Sequence, residues 1–134
     1  MKYWLVKSDP ETYSFDNFKA DNSTIWDGVR NYQARNYLNE MQLGDLVLVY
    51  HSQTSKDIVG IVEVTKTAFP DPTTNDERWL AVELTFKSRF KNSITLNKLK
   101  NDDILRDLPL IKQSRLSVMP ITDEQFNRII YLSN

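Results

Sequence analysis

Between Thr24 and Arg35 the chain brings together an indole (Trp26), an amide (Asn31), a phenol (Tyr32) and two guanidinium groups (Arg30 and Arg35) around a single glycine, Gly28. Each of these groups can help hold a flat nitrogenous ring. A Trp or Tyr face stacks on any base for roughly 1–3 kcal/mol, and an Asn amide donates and accepts at once along a Watson–Crick edge. Arg30 and Arg35 can take a flanking phosphate. A plainer reading makes Trp26 and Tyr32 core aromatics and leaves the arginines solvated at a helix start. Position favours the first reading, because cations at a helix N-terminus oppose the macrodipole and are better explained by an anion that needs them.

His51 and Ser52 invite a nucleophile-and-base reading. Adjacent residues on a strand point to opposite faces and cannot share a proton, so they are expected to be no dyad, with His51 in a structural role or donating one hydrogen bond at the rim of a site. Asp9, Glu11 and Asp27 lack the spacing of a known carboxylate site and have no second histidine beside them, so no metal is expected. Lys112 and Arg115 offer a second phosphate contact or are simply surface charges; the segment Lys112–Ser114 reads as exposed and the stretch from Leu116 as a short strand.

The elements that must position these groups follow from periodicity. Tyr3–Lys7 is bulky and β-favouring, and Ser8-Asp9-Pro10 ends it. Ser14 caps a short helix through Phe15 and Phe18, and Ala34, Tyr37, Leu38 and Met41 mark an amphipathic helix from Asn31 to the stop at Gly44. Leu46–Tyr50 and Ile58–Val64 form a hairpin across a polar turn. Ala68–Glu77, with Pro70 and Pro72, is expected to be an exposed loop unable to hold a ladder. Trp79–Lys87 alternates as a strand with one wet side. Thr95–Lys100 and Asp103–Leu108 read as short helical turns, and Thr122 to Gln125 is a capping box opening a terminal helix. Strands in the middle with short helices around them give an α+β fold, most economically a small closed or half-closed barrel.

Bulk composition narrows the function classes. One domain over residues 1–134 is expected for a chain of 134 residues, 40% of them hydrophobic, with no repeat or linker and only three glycines. The absence of cysteine excludes disulfides, thiolate metal sites and cysteine nucleophiles. Seventeen basic residues against eighteen acidic ones leave a net charge of −1, so phosphate binding by the whole surface is not expected and any grip on nucleic acid must be local. No apolar run reaches a membrane span and the first twelve residues lack the regions of a signal peptide, so a cytoplasmic, monomeric protein without membrane or cofactor is expected.

Taken together, Tyr3–Glu11, Trp26–Arg35, Gly44-Asp45, Tyr50-His51-Ser52, Val59–Val64, Pro70–Thr73 and Ser114–Pro120 resemble the EVE-domain pattern, and these pieces span nearly the whole chain in order. The EVE family is PUA-like, a mixed β-barrel with short surrounding helices, and is similar to the YTH domains that capture methylated adenine in an aromatic cage. The resemblance implies a non-catalytic reader of a flipped, modified base in DNA or RNA. Trp26 would stack on the base, Ser8 and Asn31 would meet its polar edge, Tyr32, Tyr50, His51 and Ser52 would line the mouth, and Lys7, Arg30 and Arg115 would meet phosphate. A full cage of the YTH kind has further aromatics late in the fold, for which Trp79 is the candidate here. An enzyme acting on a modified nucleotide and a small-ligand or protein-interaction module are the rival readings; the first lacks a nucleophile and base in mutual reach.

Overall fold

The computed structural model describes residues 1–134, with the elements β1 (Tyr3–Ser8), α1 (Phe15–Asp21), β2 (Ser23–Trp26), α2 (Tyr32–Glu40), β3 (Leu46–His51), β4 (Asp57–Pro70), β5 (Leu80–Thr95), α3 (Leu96–Lys100), α4 (Pro109–Lys112), β6 (Val118–Ile121) and α5 (Asp123–Ser133). The strands form one six-stranded sheet in the order β2-β5-β4-β3-β1-β6, in which β1 and β3 are parallel and the other pairs antiparallel. The α+β class expected from the sequence is present. The sheet is curved but not closed, since β2 and β6 remain its two edges.

Local chemistry explains the element ends. Ser14 and Thr122 are both N-caps in complete capping boxes, paired with Asn17 and Gln125 three residues on. Asn31 caps α2, its side-chain oxygen accepting from the Ala34 N–H. Leu5, Val6, Val47, Leu48 and Val49 lie in the paired interior strands β1 and β3 and are buried, as continuous apolar runs require when both faces are covered. The curvature comes from β4 and β5, whose pairing shifts register near Gly60, Val62, Lys66 and Phe69. Gly60 is required at the tightest approach, where a Cβ would stand 2.4 Å from the Ser88 carbonyl oxygen and 2.5 Å from the Phe15 ring.

One expectation changes. Residues 68–70 are not loop, because β4 continues through Pro70, with Phe69 opposite Ala81 and Pro70 opposite Leu80. The ladder with β3 ends at Glu63, so β4 has a free edge beyond it and the missing N–H of Pro70 breaks no bond there. The helical turns expected over Asp103–Leu108 are present, the Arg106 N–H donating to the Asp102 carbonyl and the Leu108 N–H to that of Leu105, and a one-turn helix not read from the sequence follows at Pro109–Lys112 with proline in its favoured first position. The extended β4–β5 arm matters for function, because it carries Asp71 and Trp79 to the end of β2; the Asp71 N–H donates to the Trp79 carbonyl at 3.0 Å.

Candidate functional site

The carboxyl ends of β1 and β2 open onto a cavity of about 500 Å³ lined by Lys7, Ser8, Asp9, Tyr13, Trp26, Asp27 and Arg30, with Ser117 on the approach to β6. Trp26 ends β2 opposite Val82 and is half-buried. Its ring packs on Phe18 with centroids 6.1 Å apart and planes 29° apart, while the residue also lines the open cavity. Support from Phe18 fixes the indole so that it can be a stacking surface without reordering.

Gly28, at φ +78°, turns the chain after β2 in a conformation that other residues adopt only with strain. The turn is tied down by Asp71, whose side chain is fully buried. This carboxylate accepts from the Gly28 N–H at 2.9 Å, Arg30 Nη1 at 2.8 Å, the Thr73 N–H at 2.7 Å and the Thr73 hydroxyl at 2.6 Å. Burial works against its charge, but the hydrogen bonds from Thr73, Arg30 and Gly28 outweigh it and hold the carboxyl well below the usual carboxylate range. Arg30 is thereby aimed along the cavity rim with part of its guanidinium still in solvent.

Lys7 supplies the second cation of the rim, its Nζ donating to the Ser114 carbonyl at 2.8 Å. Burial lowers its pKa. Asp27 also lines the cavity, and burial together with the nearby Asp71 carboxylate pushes its pKa up, against the pull of Arg30. Ser8 is buried and donates its hydroxyl to the Tyr13 carbonyl at 2.6 Å, which leaves the Oγ lone pairs as acceptors toward the cavity.

Of the residues given a base or phosphate role from the sequence, Lys7, Ser8, Trp26 and Arg30 meet at this cavity and the others do not. Asn31 and Arg115 lie on a separate depression of about 310 Å³ with Lys112 and Gln33, and the Asn31 oxygen is engaged in capping α2. Lys112 is paired with Asp107 at 3.3 Å. Tyr50 is buried and, with Ser52, lines a neighbouring depression of about 480 Å³ on the other side of Lys7 and Ser117. The Ser52 N–H donates to the Ser8 carbonyl at 2.9 Å, so Ser52 holds β1 and the chain after β3 together. His51 accepts at Nε2 from the Phe15 N–H at 3.2 Å and has a structural role. Tyr32 and Arg35 sit beside Trp79, outside the cavity. Sequence reasoning missed Asp71 and Asp27 as parts of the site. Asp71 was visible only as one residue of the Pro70–Thr73 segment, and nothing local signals a partner 43 positions away.

The EVE domain family model matches residues 2–132. Thymocyte nuclear protein 1 of Gallus gallus is 34% identical over 97% of this chain and 68% of its own length, and that of Mus musculus is 35% identical over 97% of this chain and 73% of its own. The crystal structure of a Pseudomonas syringae protein is 42% identical, covering 98% of this chain and 99% of that one, with a TM-score of 0.93. The human THYN1 protein, in a crystal structure with DNA containing 5-methylcytosine, is 32% identical over 100% of this chain and 98% of that one, also with a TM-score of 0.93. The expectation of a cytoplasmic protein is overturned by these relatives, whose name is that of a nuclear protein. No helix is long and apolar enough to cross a membrane. With a family match over almost its full length and the same fold in relatives above 30% identity, the chain belongs to the EVE domain family.

Proposed function

We propose that residues 1–134 act as a single EVE module that holds one base swung out of a nucleic-acid strand, with a modified cytosine in DNA as the first candidate, and that it does no covalent chemistry. The observation that carries this reading is Trp26, a half-buried indole braced by Phe18 and lining an open cavity of about 500 Å³ whose rim bears Lys7 and Arg30. Such a volume lies within the ordinary range for small-ligand sites. Unstacking a base costs a few kcal/mol, and stacking on a fixed ring together with hydrogen bonds to the base edge offsets that cost. The 5-methylcytosine DNA bound by the human relative supports the choice of base.

Within the cavity Asp27 is the group we assign to the exocyclic amine of cytosine, since a carboxylate accepts from N4 and repels the O4 of thymine. Ser8 Oγ is a second acceptor, and Lys7 and Arg30 meet the phosphates on either side. The absence of catalysis is supported by the lining itself: the hydroxyl proton of Ser8 is committed to Tyr13, and His51, the chain's one histidine, bonds the Phe15 N–H instead of facing the cavity. A salt dependence of few charges is expected, because two cations line the rim and the net charge is −1.

The test is a binding panel of single-stranded DNA 9-mers carrying a central 5-methylcytosine, cytosine or thymine. Wild-type protein should rank them in that order. Asp27→Asn, whose amide both donates and accepts, should shrink the preference for 5-methylcytosine over thymine by roughly 5- to 150-fold, corresponding to about 1–3 kcal/mol per base-edge contact. Equal affinity of the wild-type protein for all three oligonucleotides would overturn the reading.

A further inference from the structure

A second aromatic cluster lies next to the cavity and has no part in the hydrophobic core. Tyr32 and Trp79 pack as a tilted pair, with ring centroids 5.1 Å apart and planes 30° apart. Neither ring belongs to the buried core cluster or to the partly buried side chains packed on it, and Tyr32 is 56% exposed. A large aromatic pair kept out of the core and partly in water contributes little to folding by burial, so its ordering calls for another account.

Two guanidinium groups contact this pair and a third lies next to it. Arg78 Nη1 donates to the Tyr32 hydroxyl at 2.8 Å, and the guanidinium carbons of Arg30 and Arg78 lie 5.6 and 5.9 Å from the Trp79 ring centroid. Arg35 Nε donates to the Arg78 carbonyl at 2.7 Å, which fixes Arg35 beside the same pair. Arg30 and Arg78 have carboxylate partners in Asp71 and Asp76. Arg35 has none, its other bond going to the neutral Asn36 side chain, so a positive charge without a carboxylate partner is tied to the backbone next to Trp79. Arg30 belongs both to this cluster and to the cavity rim, so the two surfaces are continuous.

We propose that Tyr32, braced by Trp79, is a stacking platform for the base next to the one in the cavity, and that Arg35 takes the phosphate of that flanking nucleotide. The proposal rests on the reading of the cavity as a base site and extends it from one nucleotide to two. Aromatic faces stack on any base, so the platform adds affinity for a strand without adding sequence preference. Charge selects the partner: a phosphodiester meets the unpaired guanidinium of Arg35 bidentately, whereas a free nucleoside brings no anion to it.

The full chain is titrated with two probes, the nucleoside 5-methyl-2′-deoxycytidine and a single-stranded DNA 9-mer with a central 5-methylcytosine. Tyr32→Ala should weaken the 9-mer by roughly 5- to 150-fold and leave the nucleoside within twofold of wild type. Arg35→Gln should weaken only the 9-mer and lower the slope of log affinity against log salt by about one. Tyr32 is exposed, so Tyr32→Ala is expected to keep the wild-type melting midpoint, and a cooperative melt of Arg35→Gln checks that this half-buried position still folds. Trp26→Ala should weaken both probes alike, which separates the platform from the cavity. A Tyr32→Ala protein that keeps wild-type affinity for the 9-mer, or loses nucleoside and 9-mer equally, overturns the platform while the cavity reading stands; wild-type protein that binds neither probe overturns both.

Discussion

Asp71→Asn removes one charge from the centre of the site while keeping the side chain's shape, and its cost can be worked from the contacts. The carboxylate accepts four hydrogen bonds, two at each oxygen: Gly28 N–H and Arg30 at one, Thr73 N–H and hydroxyl at the other. An amide has one acceptor oxygen. If that oxygen keeps Gly28 and Arg30, the Thr73 hydroxyl can turn to accept from the new NH₂, but the Thr73 N–H loses its partner; Thr73 is exposed, so this loss is about 1 kcal/mol. The bond to Arg30 also loses its charge assistance; because that guanidinium is 40% exposed, this adds no more than about 1 kcal/mol. The sum of about 1–2 kcal/mol should lower the melting midpoint at pH 7 by roughly 3–8 °C in a chain of this size. The pH dependence carries its own sign. Asp71 has its pKa depressed in the folded state, so its contribution is fully present above the ordinary carboxylate value of about 4 and is lost as pH falls below it. Calorimetric melts should therefore show the gap between wild type and Asp71→Asn closing by about 1.4 kcal/mol per pH unit below pH 4. A midpoint shift under about 2 °C at pH 7, or a gap that does not change in acid, would refute the role given to this residue.

Two further predictions concern the frame around the site. Gly60→Ala places a methyl group 2.4 Å from the Ser88 carbonyl oxygen, which is backbone and cannot rotate away, so urea unfolding should show a loss of about 1–3 kcal/mol with an unchanged slope. His51 has its pKa lowered, chiefly by burial, and its Nε2 must be unprotonated to accept from Phe15. Its depressed pKa makes the stabilisation complete above about pH 6.5 and progressively lost as the medium is acidified from there, so chemical denaturation between pH 7 and pH 5 should show a decline that His51→Gln lacks.

Much of the fold was legible because it is written in short-range patterns. The β3–β4 hairpin follows from two apolar runs across a polar turn, and the caps at Ser14 and Thr122 follow from residue type at a spacing of three. The rejection of a His51-Ser52 dyad from strand geometry agrees with the observed bond from Phe15 to His51. Pro70 was misleading because a proline forbids a ladder only where its N–H is needed, and edge status depends on how far β3 runs. The site was legible in part. Lys7, Ser8, Trp26 and Arg30 converge because the carboxyl ends of β1 and β2, which are not neighbours in the sheet, open onto one cavity, and a motif near each strand end anticipates its residues. The separation of Asn31, Tyr32, Arg35 and Arg115 from that cavity was not legible, since the turn at Gly28 and the arm bearing Asp71 and Trp79 redirect the chain within a few residues. Contacts over forty positions leave no periodic trace in sequence.

The most direct measurement is calorimetric titration of a 5-methylcytosine DNA 9-mer into wild-type protein, Trp26→Phe and Trp26→Ala. Trp26 touches Phe18 as well as the cavity, so the Phe variant controls for packing. Loss of the stacking face in Trp26→Ala should weaken binding by roughly 5- to 150-fold while Trp26→Phe retains most of the affinity and both proteins melt cooperatively. Equal affinity of wild type and Trp26→Ala for the oligonucleotide would contradict the account.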